Sequence, residues 1–215
     1  MRYIPLLLLC LLLQACTQTQ KGLVDTVSLA LLGPDDIEVS SQQIEALPYA
    51  SIYLRINGGQ RIFVVLGFDE NGQQKWITRD RSMVVTQHGR VVKTLGLRDN
   101  LKEVTDLQHD PLADPLRLSA GASWTRTISW TENGQFRAAT AVSHFRQLDD
   151  ETVNIAGSNI ACQVWQETVE LTGEGASWTN TFWIEATTGL VRQSQQRSGG
   201  EDLSLEITLL KPAKS

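Results

Sequence analysis

Apolar and polar residues alternate along most of this chain from position 50 onward. Residues 50–56 (ASIYLRI) place an apolar side chain at every second position, and residues 203–209 (LSLEITL) alternate strictly. Successive side chains of a strand point to opposite faces, so this period predicts strands with one buried face. Similar segments recur at 61–68, 74–79, 83–87, 90–95, 124–130, 136–145, 153–155, 160–171, 177–185 and 189–195.

Tight-turn sequences separate these segments. Asn57-Gly58 follows the first strand, His88-Gly89 lies further along, and the tetrapeptide Glu-Asn-Gly-Gln occurs at 70–73 and again at 132–135. Asn-Gly is a strong hairpin signal, because both central residues of a type I′ turn need a positive φ. The pattern therefore predicts a mainly β fold of about a dozen strands, either a large curved antiparallel sheet or an incomplete barrel.

Two short helices and one long loop are predicted outside the strands. Residues 23–32 have helical spacing and end at Gly-Pro, and residues 40–47 begin with Ser and end before Pro48. Residues 99–118 contain two Asp-Pro steps, which disfavour helix, and are predicted to be a loop. Because an uncovered sheet edge promotes aggregation, we expect these three segments to cover the sheet.

The first twenty residues have the pattern of an export signal. Arg2 precedes a short apolar run that ends near Leu13, which is too short to span a membrane well. The sequence Leu-Gln-Ala-Cys at 13–16 resembles a bacterial lipoprotein signal, in which the cysteine receives the lipid and the chain is cut before it. The alternative is an ordinary signal peptide with a chance cysteine.

The resulting domain prediction has three parts: a lipoprotein signal peptide at 1–15, a lipidated tether at 16–22 and a single β-rich periplasmic domain at 23–215. Lipidation of Cys16 would anchor the protein to the membrane. Residue 17 is Thr rather than the Asp that retains such proteins at the inner membrane, so the predicted location is the outer membrane, facing the periplasm.

Composition narrows the class of protein. The 215 residues are 41% hydrophobic and 20% charged with a net charge of −5, which is typical of a globular domain. The sequence contains no basic cluster, so nucleic-acid binding is not expected. Cys162 lies in an alternating segment and is predicted to be a buried strand residue, without a disulfide partner after removal of Cys10 and lipidation of Cys16.

No catalytic constellation is evident in the sequence. It contains neither a Gly-x-Ser-x-Gly elbow nor a phosphate-binding glycine motif, and its three histidines are far apart. The sequence thus predicts no catalytic residue, no cofactor and no metal site; a cation near His109, Asp110 and Asp114 is a minor alternative. Three carboxylates lie in apolar-patterned strands: Glu167, Glu170 and Glu185. Structural salt bridges are the favoured interpretation, and a glycosidase pair among them is the alternative.

The six tryptophans all fall in predicted strands, where large aromatic side chains commonly fill the core. An exposed binding platform is the alternative for one or two of them. The pentapeptide Gly-Ala-Ser-Trp-Thr occurs at 121–125 and again at 175–179, and each copy could start an equivalent strand. Trp124 and Trp178, which lie in these copies, are the weak candidates for ligand binding.

Four segments together resemble the YjbF family of group 4 capsule polysaccharide lipoproteins, the GfcB/YmcC-like proteins. They are LPYASIYLRI (47–56), WITRD (76–80), HGRVVKTLGL (88–97) and FWIEATTGLVRQSQQ (182–196). The resemblance implies a mainly β outer-membrane lipoprotein involved in exopolysaccharide or capsule production. It also implies two partners, a periplasmic protein and an outer-membrane barrel of the export system, and it carries over no catalytic residue.

The leading hypothesis is therefore a non-enzymatic accessory lipoprotein that supports polysaccharide production or secretion by contact with partner proteins or with the polysaccharide. A second hypothesis is a lipid or lipoprotein carrier, which requires a deep apolar cavity. A third, less favoured, is a glycan-modifying enzyme with two close carboxylates and a strongly perturbed pKa.

Overall fold

The computed structural model describes residues 36–199 and 203–213. The predicted signal peptide, the predicted tether with Cys16 and the predicted helix at 23–32 lie outside these residues. Within them, one helix, thirteen strands and three single-turn 3₁₀ helices follow one another.

The helix α1 is Ser41–Ala46, and the 3₁₀ helices are Leu107–His109, Pro111–Ala113 and Pro115–Arg117. The strands are β1 (Ser51–Ile56), β2 (Ile62–Glu70), β3 (Gln73–Ile77), β4 (Met83–Gln87), β5 (Arg90–Leu95), β6 (Leu101–Val104), β7 (Ser123–Glu132), β8 (Gln135–Gln147), β9 (Glu151–Ile155), β10 (Ser158–Leu171), β11 (Ser177–Glu185), β12 (Val191–Arg197) and β13 (Ser204–Lys211).

All thirteen strands belong to one antiparallel sheet that curls into a nearly closed barrel. The order is β5-β4-β3-β2-β1-β13-β12-β11-β10-β8-β7-β6, with β9 paired to β10 outside this path. The end strands β5 and β6 come together through side chains, since Thr94 Oγ1 accepts from the backbone N–H of Leu101 at 2.9 Å. The predicted incomplete barrel of about a dozen strands is confirmed.

The hairpin turns form as their sequences predict. Asn57 and Gly58 have φ values of 51° and 66°, and His88 and Gly89 have φ values of 50° and 80°. Both copies of the Glu-Asn-Gly-Gln tetrapeptide also carry positive φ at Asn and Gly. These residues reverse the chain with the twist that neighbouring strands require.

The predicted helix at 40–47 is confirmed with slightly shorter bounds. Ser40 caps it, accepting from the backbone N–H of Gln43 while the Gln43 side chain accepts from the N–H of Ser40. The predicted loop at 99–118 was wrong in part, because it begins with β6 and continues as the three 3₁₀ turns. β6 has only four residues, too few for a period of two to be recognised in the sequence.

The main core lies inside the barrel and is rich in aliphatic residues and tryptophan. Its side chains include Leu54, Trp76, Trp124, Val169 and Trp178. The two Gly-Ala-Ser-Trp-Thr copies lead into β7 and β11, as predicted. Their tryptophans occupy one row across four adjacent strands, because Trp124 pairs with Ser143, Ser143 with Val169 and Val169 with Trp178.

The 3₁₀ segment enters the same interior. Leu112 is fully buried and packs with Trp165, Phe182 and Ile184. Phe182 and Ile184 alternate with outward residues along β11 on the same face as Trp178. The segment therefore covers the inner surface of the sheet rather than its outer edge. A smaller cluster on another face contains Cys162, which is 1% exposed, so its prediction as a buried strand residue is confirmed.

Candidate functional site

Four charged side chains meet inside the barrel and form what we call the buried ion cluster: Arg90, Asp110, Arg126 and Glu167. They come from β5, the N-cap of the second 3₁₀ turn, β7 and β10 respectively. None of them is more than 6% exposed. Charged residues are rarely buried to this extent unless they are paired, so the contacts within the cluster must offset the cost of burying four charges.

Arg90 holds both carboxylates of the cluster. Its Nε and Nη2 lie 2.5 and 3.1 Å from the two oxygens of Asp110, and its Nη1 lies 2.8 Å from Oε2 of Glu167. The planar guanidinium suits this two-sided arrangement, because its donors form a rigid fork. Asp110 also accepts from the backbone N–H of Leu112 at 3.0 Å, which connects the 3₁₀ segment to the strands.

Glu167 is fully buried, and both of its oxygens are satisfied. Oε1 accepts from the Ser143 hydroxyl at 2.6 Å and from Arg126 Nη2 at 3.4 Å. Oε2 accepts from Arg90 and, at 2.8 Å, from the Asn180 amide. The carboxylate therefore has partners on β5, β7, β8 and β11.

Burial and charge oppose each other at these groups. Burial would raise the pKa of Glu167, but the positive charges of Arg90 and Arg126 outweigh it and lower the pKa to about 2. The pKa of Arg126 is lowered to about 10, chiefly by burial. The negative charge of Glu167 acts to raise this pKa, and the positive charge of Arg90 acts to lower it. Burial also acts to lower the pKa of Arg90, but the negative charges of Asp110 and Glu167 outweigh burial and raise this pKa.

The aromatic core encloses the two guanidinium groups. The guanidinium carbon Cζ lies 4.1 Å from the centroid of the Trp124 ring in Arg126 and 4.8 Å from it in Arg90. Cζ of Arg90 also lies 5.3 Å from the centroid of the Phe182 ring. Both distances to Trp124 fall within the range of a cation–π interaction. Trp124 is 3% exposed and contacts both arginines.

The cluster is suited to holding the barrel together rather than to proton transfer. A general acid needs a raised pKa and access to a substrate. Glu167 has a lowered pKa, no exposed surface and no free oxygen. The chemistry of these groups therefore consists of mutual charge neutralisation.

The other carboxylates considered in the sequence lie apart from this cluster. Glu185 binds Arg192 at 2.8 Å and Thr188 at 2.5 Å, and Glu170 is exposed. His109 contacts Asp106 at 2.6 Å, whereas Asp110 faces Arg90. In the described part of the chain, no group of three or more metal-ligating residues comes together.

The predicted site residues have different positions. Trp124 and Trp178 are buried, at 3% and 9% exposure, so a ligand would have to enter the barrel to reach them; their role in binding stays a prediction. Cys16 lies outside the described residues, and its lipidation also stays a prediction.

The burial of the two arginines of the cluster was not predicted from the sequence, although the pattern around one of them, Arg126, indicates it. Arg126 stands between Trp124 and Ile128, on the face of β7 that the apolar residues define. A charged residue in register with an apolar face indicates a buried ion pair. Arg90 carries no such signal, because it begins its strand directly after a turn.

A cleft of about 440 Å³ opens elsewhere on the inner face of the sheet. Its lining includes the apolar residues Ile52, Trp76 and Leu209 and the polar residues Gln74 and His88. The Trp76 N–H donates to the Thr86 hydroxyl at 2.8 Å, which fixes the indole orientation. The volume is within the range of small-ligand sites, and the mixed lining suits a ligand with both hydroxyl groups and C–H faces.

Comparison with known proteins identifies the family. Residues 24–210 match the model of the group 4 capsule polysaccharide lipoproteins GfcB and YjbF. The chain belongs to the YjbF family.

Relatives of this YjbF-family chain are found over its whole length. It is 48% identical to the lipoprotein GfcB of Escherichia coli K12, over 99% of this chain and 100% of that protein. It is 45% identical to the lipoprotein YjbF of the same organism, over 97% of each chain. The crystal structure of the E. coli lipoprotein YmcC superposes with a TM-score of 0.78 at 48% identity, covering 89% of this chain and 97% of that one.

The structure adds one observation on membrane association. Among the residues it describes, none of the helices has the length and apolarity required to cross a bilayer.

Proposed function

We propose that this protein is a lipid-anchored accessory factor of the outer membrane that supports capsule or exopolysaccharide production without catalysing a reaction. Membership of a family of capsule polysaccharide lipoproteins over residues 24–210 carries this proposal. The proposal extends the family description in three respects: the anchor and its membrane, the non-enzymatic role, and the contacts made with polysaccharide or partner proteins.

The anchor is the thioether at Cys16, facing the periplasm. Two relatives that align with nearly the whole chain are named lipoproteins, which supports the assignment. We expect Cys16→Ala to shift the protein from the outer-membrane fraction and to reduce polysaccharide export. Cys10→Ala is the matched control, because that residue lies within the predicted signal and should leave both unchanged. Normal fractionation and normal export of the Cys16→Ala variant would overturn the anchoring proposal.

The non-enzymatic role is supported by the state of the buried carboxylates. Asp110 and Glu167 are brought near each other, as a glycosidase would require, but Arg90 lies between them and binds both. The lowered pKa of Glu167 is opposite to that of a glycosidase acid. Hydrolysis of the purified polysaccharide by the protein, abolished by Glu167→Gln but not by Glu170→Gln, would refute this role.

The cleft beside Trp76 is the proposed contact with a sugar unit of the polysaccharide. Amide and hydroxyl groups in the lining can bind sugar hydroxyls, and apolar groups in the lining can face the ring. We expect oligosaccharides from the exported polymer to bind in calorimetry, and Gln74→Ala to weaken that binding. Gln73→Ala is the control, because neighbouring side chains of a strand point to opposite faces and Gln73 does not line the cleft. Equal binding by both variants would exclude the cleft.

The proposed protein partners are an outer-membrane barrel and a periplasmic component of the export system. Affinity capture from envelope membranes tests this, with Cys16→Ala as the unanchored control. Failure to recover any export component with the anchored protein would contradict it.

The lipid-carrier hypothesis is disfavoured by the same interior. An acyl chain needs a continuous apolar cavity, whereas four charged side chains occupy this barrel and polar residues form part of the lining of its cleft.

A further inference from the structure

A second, much smaller cavity lies beside the buried ion cluster. Its volume is about 20 Å³, and residues of β5, β6, β7, β11 and β12 line it. A cavity of roughly 10–15 Å³ or more is large enough for one water molecule. This cavity therefore fits one small, compact occupant and is too small for a sugar or an acyl chain.

The cavity is surrounded by hydrogen-bond donors that have no partner. Arg126 Nε, Arg197 Nε and Trp178 Nε1 are each buried and unpaired in the described chain, and all three residues line the cavity. Arg126 as a whole is 6% exposed. Buried unpaired donors are rare in proteins and are costly, so three around one cavity indicate an occupant that accepts hydrogen bonds.

The side-chain acceptors near the cavity each accept at least one hydrogen bond. Asn180 Oδ1 accepts from the backbone N–H of Arg197 at 2.8 Å, and Gln196 Oε1 accepts from that of Val91 at 2.9 Å. Both oxygens of Glu167 are likewise bonded. Each amide oxygen keeps one further lone pair, whereas three buried donors lack any partner, so an occupant that only accepts hydrogen bonds matches the cavity better than a water molecule.

The charge balance points in the same direction. Among the described residues, Arg90, Arg126 and Arg197 supply three positive charges to this region, against two negative charges from Asp110 and Glu167. No ion pair of the described residues includes Arg197.

We propose that this cavity binds a single small inorganic anion of the size of chloride, held by Arg126, Trp178 and Arg197. The anion would supply the missing negative charge and pair the three free donors at once. It would thereby connect the end of β12 to β7 and β11 across the barrel interior. The site is a structural anion site and is independent of the polysaccharide role proposed above.

The test is thermal unfolding of the purified protein in sodium chloride against sodium gluconate at equal ionic strength. Gluconate is too large for the cavity, so only chloride should stabilise. An anion that binds the folded state alone raises Tm by about 5 °C when present at 100 times its Kd. Bromide should replace chloride, and anomalous diffraction from a bromide-soaked crystal should place it between Trp178 and Arg197.

Three variants test the assignment to these residues. Arg197→Met and Trp178→Phe each remove a donor while keeping most of the side-chain volume, and both should weaken the chloride response at least tenfold in apparent Kd. Arg192→Met is the matched control, since Arg192 lies on the same strand but pairs with Glu185. It should lower Tm in every salt yet keep the full difference between chloride and gluconate.

Two results would overturn the proposal. The first is a wild-type Tm that is the same in chloride and gluconate and stays so when Glu201→Gln and Asp202→Asn are combined, which would indicate water in the cavity. The second is a chloride response that appears only after Glu201→Gln and Asp202→Asn are combined. That outcome would identify a carboxylate of the chain itself, close in sequence to Arg197, as the occupant.

Discussion

Replacing Glu167 with Gln tests the central role of the buried ion cluster. The substitution keeps the shape of the side chain but removes its charge. Asp110, which pairs with Arg90, would then be the one carboxylate left in the cluster. Arg126 would lose Glu167, its ion-pair partner. Breaking a buried ion pair by removing one partner costs about 3–5 kcal/mol, because the other charge is left uncompensated.

The pKa of Glu167 leads to a similar figure by a separate route. Its pKa is about 2 in the folded protein and 4.5 ordinarily. At about 1.4 kcal/mol per pKa unit, the folded environment favours the ionised carboxylate by roughly 3 kcal/mol. We therefore expect Glu167→Gln to lower the free energy of unfolding at pH 7 by about 3 kcal/mol, measured by urea denaturation.

Two further variants make this measurement decisive. Glu170→Gln on the same strand changes an exposed carboxylate and should shift stability by no more than about 0.5 kcal/mol. Adding Arg126→Met to Glu167→Gln restores the one-to-one charge balance, so the double variant should recover part of the loss. A free energy of unfolding for Glu167→Gln within about 1 kcal/mol of the wild-type value would refute the claim that charge pairing holds the barrel interior together.

Three other predictions concern acid stability, the 3₁₀ segment and one glycine. Because the pKa of Glu167 is lowered on folding, its stabilisation is complete above pH 4.5 and is lost as the pH falls toward 2; the stability gap between wild type and Glu167→Gln should therefore shrink from pH 7 to pH 3, and a constant gap would contradict the assignment. Leu112→Ala should cost about 2–5 kcal/mol in urea denaturation, since Leu112 is fully buried, whereas Leu116→Ala, at a position 53% exposed, should cost about 0.5 kcal/mol or less. Gly89→Ala should lower stability by about 2–4 kcal/mol, because Gly89 has a φ of +80° and a Cβ would clash with Val191; Gly58→Ala shares the positive φ but has open space, so a loss as large as that of Gly89→Ala would show that the clash is irrelevant.

Local sequence patterns were sufficient for most of the strands and turns. The two-residue period of β1 and β13 is a property of neighbouring residues, so it could be recognised without knowing what either strand packs against. The Asn-Gly turns are similarly local, because the positive φ values are needed within the turn itself. β6 escaped detection, since four residues are too few to establish a period.

The candidate site could be predicted only in part. Glu167 is recognisable in the sequence as a carboxylate in an apolar pattern, and Arg126 has a similar position between Trp124 and Ile128. Arg90 and Asp110, by contrast, lie next to turns and look like ordinary surface residues in the sequence. Their burial follows from the path of the 3₁₀ segment into the barrel.

The sequence by itself therefore determined the class of fold, the positions of the hairpins and the family, because each depends on short-range patterns or on similarity along the chain. The tertiary structure decided which charged residues are buried and paired. Arg90 and Glu167 are 77 positions apart, and only the curling of thirteen strands brings their side chains to 2.8 Å. The same closure creates the small cavity beside Trp178 and Arg197, whose donors come from separate strands and whose common surroundings exist only in the folded barrel.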